Sequence, residues 1–330
     1  FEYPILKSYC LTPDPQMNGY KKIPGGHRNR KGLTPRGRAA ITEMMKLGMI
    51  IDLDHMSERA VDETLRIAEK VQGGYPLASG HNNYRALGAS SREGHISENQ
   101  RSDQQLRRIA KLGGMVGVGY GYQKADGSAK AFASIISRQG GQKWTQSRVA
   151  NNCGGTARSF AQQYLYAVEH MAGAFVGLGT DINGLVSGPG PRFGSMATYK
   201  GNRCRAQGNG VNYFGKSNRG SSAKLRGEKT GNKFWDINTD GVAHYGMLPD
   251  FFQDLKNVGV TPEDLGPLFS SAEHFAMMWE RSDCMNAETA SRSASRGARK
   301  IRRSVSTVGI SKLKEVIAQP RSSGCKPASC

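Results

Sequence analysis

Between Leu33 and Tyr120 the apolar positions follow two alternating rhythms, a stripe with helical spacing and a short continuous run. Thr34 followed by Pro35 opens the first stripe, in which Ile41, Met44 and Met45 share a face, and Gly48 stops it. The run Met49–Asp54 predicts a strand. A second helix begins at Ser57 and turns Val61, Leu65 and Ala68 to one side; Pro76–Ser79 is the next strand. Ser102 and Gln105 spell a capping box ahead of Leu106 and Ile109, Gly113 closes that helix, and Met115–Val118 is again a strand. After a long excursion a helix is predicted around Phe160–Met171 and a strand over Phe175–Gly179. Short strands separated by single helices predict parallel pairing, hence an α/β barrel or a doubly wound sheet.

Outside this rhythm, Tyr3–Tyr9 is one plausible upstream strand. Residues 184–233 are rich in Gly, Ser, Asn and Arg and read as a long loop over the strand ends, a candidate for crosslinking through Cys204. Met247–Val258 and Ser270–Glu280 read as amphipathic helices, the second with a Ser270/Glu273 capping box. The expected division is a partial barrel over 1–286, with 184–233 inserted, and a basic Ser/Arg-rich tail over 287–330 that lacks the apolar positions to build a core.

Composition narrows the class. With 330 residues, 37% of them hydrophobic, the chain can form one large α/β domain. A mean hydropathy of −0.54 describes a soluble protein, and no apolar stretch approaches the roughly 20 residues a membrane span needs. The first residue is Phe1, so removal of a leader and an extracellular or periplasmic location are expected. Six cysteines without C-x-x-C spacing fit disulfides in an oxidising compartment, with their pairing open. The net charge is +19, of which residues 288–330 supply +8 through ten Lys/Arg against two Glu. Such a balance favours acidic partners such as nucleic acid, anionic glycans or a cell surface; the plainer reading is solubility and a solvated tail.

A G-x-S-x-G nucleophile elbow is absent, so a serine hydrolase reading has no support. Gly117-Val118-Gly119-Tyr120-Gly121 lacks the third glycine of a dinucleotide loop and reads as a tight barrel turn. His27 and His95 in loops, and His170 and His274 on helix faces, read as structural histidines. Asp52 and Asp54 read as residues that end a strand. Against this background His55, His81 and Asp181 stand out, because each closes a successive apolar run. In a parallel barrel such strand ends surround one cavity. There two neutral imidazoles can share a divalent ion while a carboxylate opposite them moves protons.

The residues that carry this chemistry resemble the membrane (renal) dipeptidases of the amidohydrolase superfamily. The likeness runs from Gly32-Leu33-Thr34-Pro35-Arg36-Gly37 through Asp52-Leu53-Asp54-His55-Met56-Ser57. It continues through Ser79-Gly80-His81-Asn82-Asn83 and Arg92 to Gly179-Thr180-Asp181-Ile182-Asn183-Gly184, and resumes weakly from Asp240 to Trp279. It implies a TIM-type (β/α)8 barrel of which this chain supplies about the last five strands. It also implies a zinc-dependent hydrolase that cleaves a dipeptide or small amide through a zinc-activated water. His55 and His81 would bind the second of two zinc ions, Asp181 would carry the proton, and Arg92 would hold the substrate carboxylate.

Asn183 stands where relatives carry an aspartate. The family's His-x-Asp pair on its first strand has no counterpart before His55, so the first metal site is expected to be incomplete here. Three arrangements would accommodate this: a second polypeptide that completes the barrel, a missing segment, or a degenerate, catalytically inactive relative serving as a structural or polyanion-binding protein. Homo-oligomerisation is compatible with each.

Overall fold

A computed structural model describes residues 20–23, 26–87, 98–119, 149–150, 153, 155–172, 175–180, 188–195, 197–199, 202–203, 208–214 and 224–284. It begins with an antiparallel hairpin, β1 (Tyr20–Ile23) with β2 (Gly26–Asn29), so His27 lies in a strand rather than in a loop. Helix α1 (Pro35–Lys46) starts where Thr34 accepts the Gly37 N–H, buries Ile41 and Met45, and ends ahead of Gly48 at φ 70°. The segment 51–53 follows. It makes a single parallel bridge, Asp52 to Ala78, flanked by hydrogen bonds Leu53 N–H to Ala78 O (2.9 Å) and Ala78 N–H to Ile51 O (3.0 Å).

Helix α2 (Glu58–Lys70) is capped by Ser57 and seals this segment from outside with Val61, Leu65 and Ala68, none of which touches solvent. Burying a leucine so completely contributes about 1.5–3 kcal/mol. Strand β3 (Ala78–Asn82) pairs in parallel with β4 (Met115–Gly119), and β4 pairs in parallel with β5 (Val176–Gly179). Helix α3 (Asp103–Lys111), with its complete Ser102/Gln105 capping box, joins β3 to β4; α4 (Ala157–His170), capped by Thr156, lies between β4 and β5. The four β segments therefore stand side by side in chain order, all parallel, with a helix after each of the first three. This is the α/β arrangement that the alternating rhythm predicts.

Further details differ from expectation. The glycines Gly117 and Gly119 lie within β4 and do not form a turn. A Cβ on Gly117 would stand 2.0 Å from the Gly80 carbonyl oxygen, and one on Gly179 would meet the same oxygen at 2.0 Å and the His81 Cα at 2.8 Å. Glycine is required there because three strands crowd together as the sheet curls. Ser270 does not cap the helix over 271–284: the chain arrives through the one-turn helix Gly266–Phe269, Ser270 has near-helical angles, and its hydroxyl donates back to Gly266 O (2.9 Å). A capping serine needs extended backbone.

The stretch after β5 is also better anchored than its composition implies. Arg192 is fully buried against Asp254 on α5 (Leu248–Asn257) and donates to Asn209 O (2.6 Å). Asn238 clasps Val211 through both its N–H and its carbonyl (2.8 Å each). The expected strand Tyr3–Tyr9 and the tail 287–330 lie outside the described residues.

Candidate functional site

The site is built where the segment 51–53 and β3 end. Leucine 53 is buried and its neighbours on either side are carboxylates, so the alternation of the bridged segment sends Asp52 and Asp54 away from the core formed by Ile51 and Leu53. Asp54 does more than end the strand. Its side chain is only 4% exposed and accepts from the Ser79 hydroxyl (2.7 Å), the Asn82 amide and the His81 backbone N–H (2.6 Å). The His81 Nδ1 stands 2.9 Å from the same carboxylate.

That contact has a chemical consequence. With Nδ1–H held by Asp54, the Nε2 lone pair of His81 points outward, the arrangement in which a carboxylate orients a ligating imidazole. His55 meets it there: the two Nε2 atoms are 3.0 Å apart, with ring centroids 4.9 Å apart and planes inclined by 44°. His55 reaches this position from a left-handed backbone, φ 61°, with its N–H donated to Asn99 Oδ1 at 2.7 Å. One proton shared between the two nitrogens satisfies the spacing. So does one cation, because ligand bonds of about 2.0–2.1 Å to zinc place two nitrogens on a common ion roughly 3 Å apart.

Asp52 borders the pair, its Oδ2 lying over Gly80 and its Oδ1 accepting from the Asp54 N–H (2.8 Å). Desolvation raises the Asp52 carboxyl above its ordinary value, and the charge of Asp54 adds to this, against the lowering effect of the Asp54 and Gly80 backbone N–H groups. At the far edge Thr180, which follows β5, donates to the Tyr245 hydroxyl (3.4 Å), bringing an exposed tyrosine from a remote segment to the same rim as the curled strand ends.

Of the residues singled out in the sequence, His55 and His81 are brought together, while Asp181 and Arg92 lie outside the described residues. Among the described residues no set of three or more His, Cys, Asp or Glu side chains converges as a complete metal-binding group. The donor chemistry of the two imidazoles, with Asp54 behind one of them, fits part of such a group. His170 stacks on Tyr166 at 3.8 Å and bonds its carbonyl, as expected of a structural histidine; His274 packs on Phe175 but leaves its buried Nδ1 without a hydrogen bond. His95 lies outside the described residues. The sequence reading takes Asp54 only as a strand end and does not single out Asn99 or Tyr245. The Asp-x-Asp-His string was a visible signal for the first; Asn99 and Tyr245 carry none.

Residues 18–191 match the model of the membrane dipeptidase family, Peptidase family M19. An uncharacterised protein of the pqqA 5' region of Klebsiella pneumoniae is 37% identical over 113 residues, 34% of this chain and 36% of its own length. An uncharacterised dipeptidase of Schizosaccharomyces pombe is 25% identical over 178 residues, 53% of this chain and 34% of its own. This chain thus spans about a third of the length of these curated relatives. Among solved structures, a metallo peptidase from Rhodobacter sphaeroides, liganded with a phosphinate mimic of the dipeptide L-Ala-D-Ala, is 17% identical with a TM-score of 0.43, over 80% of this chain and 50% of that one. An amidohydrolase from Pseudomonas aeruginosa is 19% identical with a TM-score of 0.43, over 77% and 58%. With more than half of its 330 residues inside the family match, the chain belongs to the membrane dipeptidase family, Peptidase family M19.

Proposed function

We propose that this chain supplies part of the site of a metal-dependent hydrolase that cleaves a dipeptide or a small amide with a free carboxylate. The observation that carries the reading is the 3.0 Å approach of the His55 and His81 Nε2 atoms, with Asp54 behind His81. The two imidazoles would hold one divalent cation, zinc by resemblance. Such an ion, when bound, supplies Lewis acidity that polarises a carbonyl and makes water a stronger nucleophile near neutral pH.

Around that ion each residue of this chain has its own task. Asp54 keeps His81 in the tautomer that leaves Nε2 open. Asp181, one residue beyond Thr180, would accept a proton from water and return it to the leaving amine. Arg92 would pair with the substrate carboxylate through its planar fork, which suits two oxygens better than an ammonium does. The four parallel segments in chain order support the reading of a (β/α)8 barrel, completed by a second polypeptide or by a missing segment. Export is supported by Cys153, which is buried and disulfide-bonded.

The test is metal content and dipeptide turnover of the intact assembly, with peptide mass mapping to find any companion chain. We expect about one zinc per chain, lost in His81→Ala together with turnover. A metal-free, inactive assembly that still contains both histidines would sink the proposal.

A second reading is favoured by one observation, the charge of +19. In that reading the chain is an inactive dipeptidase relative that binds a polyanion, the basic tail included. Heparin binding that weakens steeply between low and moderate salt, in a protein without turnover, is its expected signature.

A further inference from the structure

A conformation with positive φ is rare for a residue with a bulky side chain and persists only where neighbours hold it. His55, at φ 61°, is such a residue, and what holds it comes from 44 positions away: its N–H donates to Asn99 Oδ1 at 2.7 Å. The Asn99 amide is itself oriented. Arg101, with no exposed surface, directs Nη2 to the Asn99 backbone carbonyl (2.6 Å) and to Oδ1 (3.3 Å). Its Nε and Nη1 make no hydrogen bond, so this fork of contacts is the anchorage of the guanidinium.

The backbone of Arg101 completes the clamp. Its N–H donates to Asn83 O (3.0 Å) and its carbonyl accepts from Arg85 N–H (2.9 Å), the residues that follow the strand bearing His81. One short turn is therefore tied to both histidines, to His55 through a side chain and to the His81 strand through the main chain.

We propose that Asn99, oriented by Arg101, is the positioning residue that sets the His55 imidazole against His81 and so fixes the spacing of the two-nitrogen cation site. The proposal rests on the reading of His55 and His81 as cation ligands. Its test uses the full chain as Asn99→Ala, Asn99→Asp and His81→Ala. Amide hydrogen exchange at His55 is measured without metal, and Co(II) affinity by spectral titration.

Asn99→Ala is expected to speed exchange at His55 by about tenfold, the effect of one lost hydrogen bond. It should weaken Co(II) binding by about 10–100-fold, the range seen when a group supporting a ligand is removed. Asn99→Asp keeps an acceptor in the same place and should restore both. Should Asn99→Ala fail to fold, Asn99→Gln, which displaces the carbonyl by one methylene, replaces it in the comparison. Unchanged exchange overturns the proposal, and so does faster exchange with unchanged Co(II) affinity. Co(II) binding that His81→Ala leaves intact sinks the ligand reading and the spacing role with it, while the exchange measurement still decides whether Asn99 holds His55.

Discussion

Two buried carboxylates in this chain are held in different ways. Asp54 is surrounded by donors from Ser79, Asn82 and His81, so its oxygens are committed to orienting a histidine. Asp250 is buried with one strong partner, the Tyr213 hydroxyl. Desolvation raises its carboxyl above the ordinary 3.8, assisted by the charges of Glu228 and Asp236 and opposed by the Tyr213 hydrogen bond. An acid whose folded pKa is raised favours its protonated form in the fold. Its contribution is fully present below 3.8 and is lost as pH rises through the folded value. Asp250→Asn retains an acceptor for Tyr213 but cannot ionise. Its stability relative to the parent should therefore increase as pH is raised from about 3 to about 7, measured by urea denaturation at both ends. A difference independent of pH would contradict the assignment.

At the level of elements, the site depends on how closely β3, β4 and β5 curl together. Gly117 and Gly179 admit the Gly80 carbonyl where any side chain would collide with backbone. Gly117→Ala should cost about 3 kcal/mol by overpacking, read as a lowered denaturation midpoint. Gly266, at the start of the one-turn helix Gly266–Phe269, has nothing within 4 Å of an added Cβ and no positive φ. Gly266→Ala should be neutral or slightly stabilising. Equal losses in the two variants would show that β4 has room to relax. Helix α2 illustrates the other half of element-scale design: an apolar stripe read directly from spacing covers the segment that ends in His55.

Across the whole molecule, the residues following β5 are tied to the helical end by a buried ion pair as well as by apolar contacts of Val211, Tyr213 and Ile237. Arg192 lies against Asp254 with both nearly free of solvent, and the same guanidinium reaches Asn209. Removing one member of such a pair strands a charge in a dry interior. Asp254→Asn should cost about 3–5 kcal/mol by chemical denaturation, and joint replacement of both residues by apolar ones of similar volume should recover most of it. A loss below about 1 kcal/mol for Asp254→Asn would mean that water reaches Arg192.

Sequence alone determined the alternation of helices and strands, because helix caps, stop glycines and apolar stripes are local signals that span only a few residues. Thr34, Ser57 and the Ser102/Gln105 box each start a helix where their spacing says so. It also picked out His55 and His81 through their placement at the ends of apolar runs. Tertiary structure decided the rest. That Gly117 is a strand glycine and not a turn follows from a carbonyl 37 positions earlier. That Asp54 orients a histidine, and that Asn99 holds another in a left-handed conformation, depends on contacts across 27 and 44 residues. Such contacts leave no periodicity to read, since a hydrogen bond needs only two groups to arrive at the same point, and it is the packing of the sheet that brings them there.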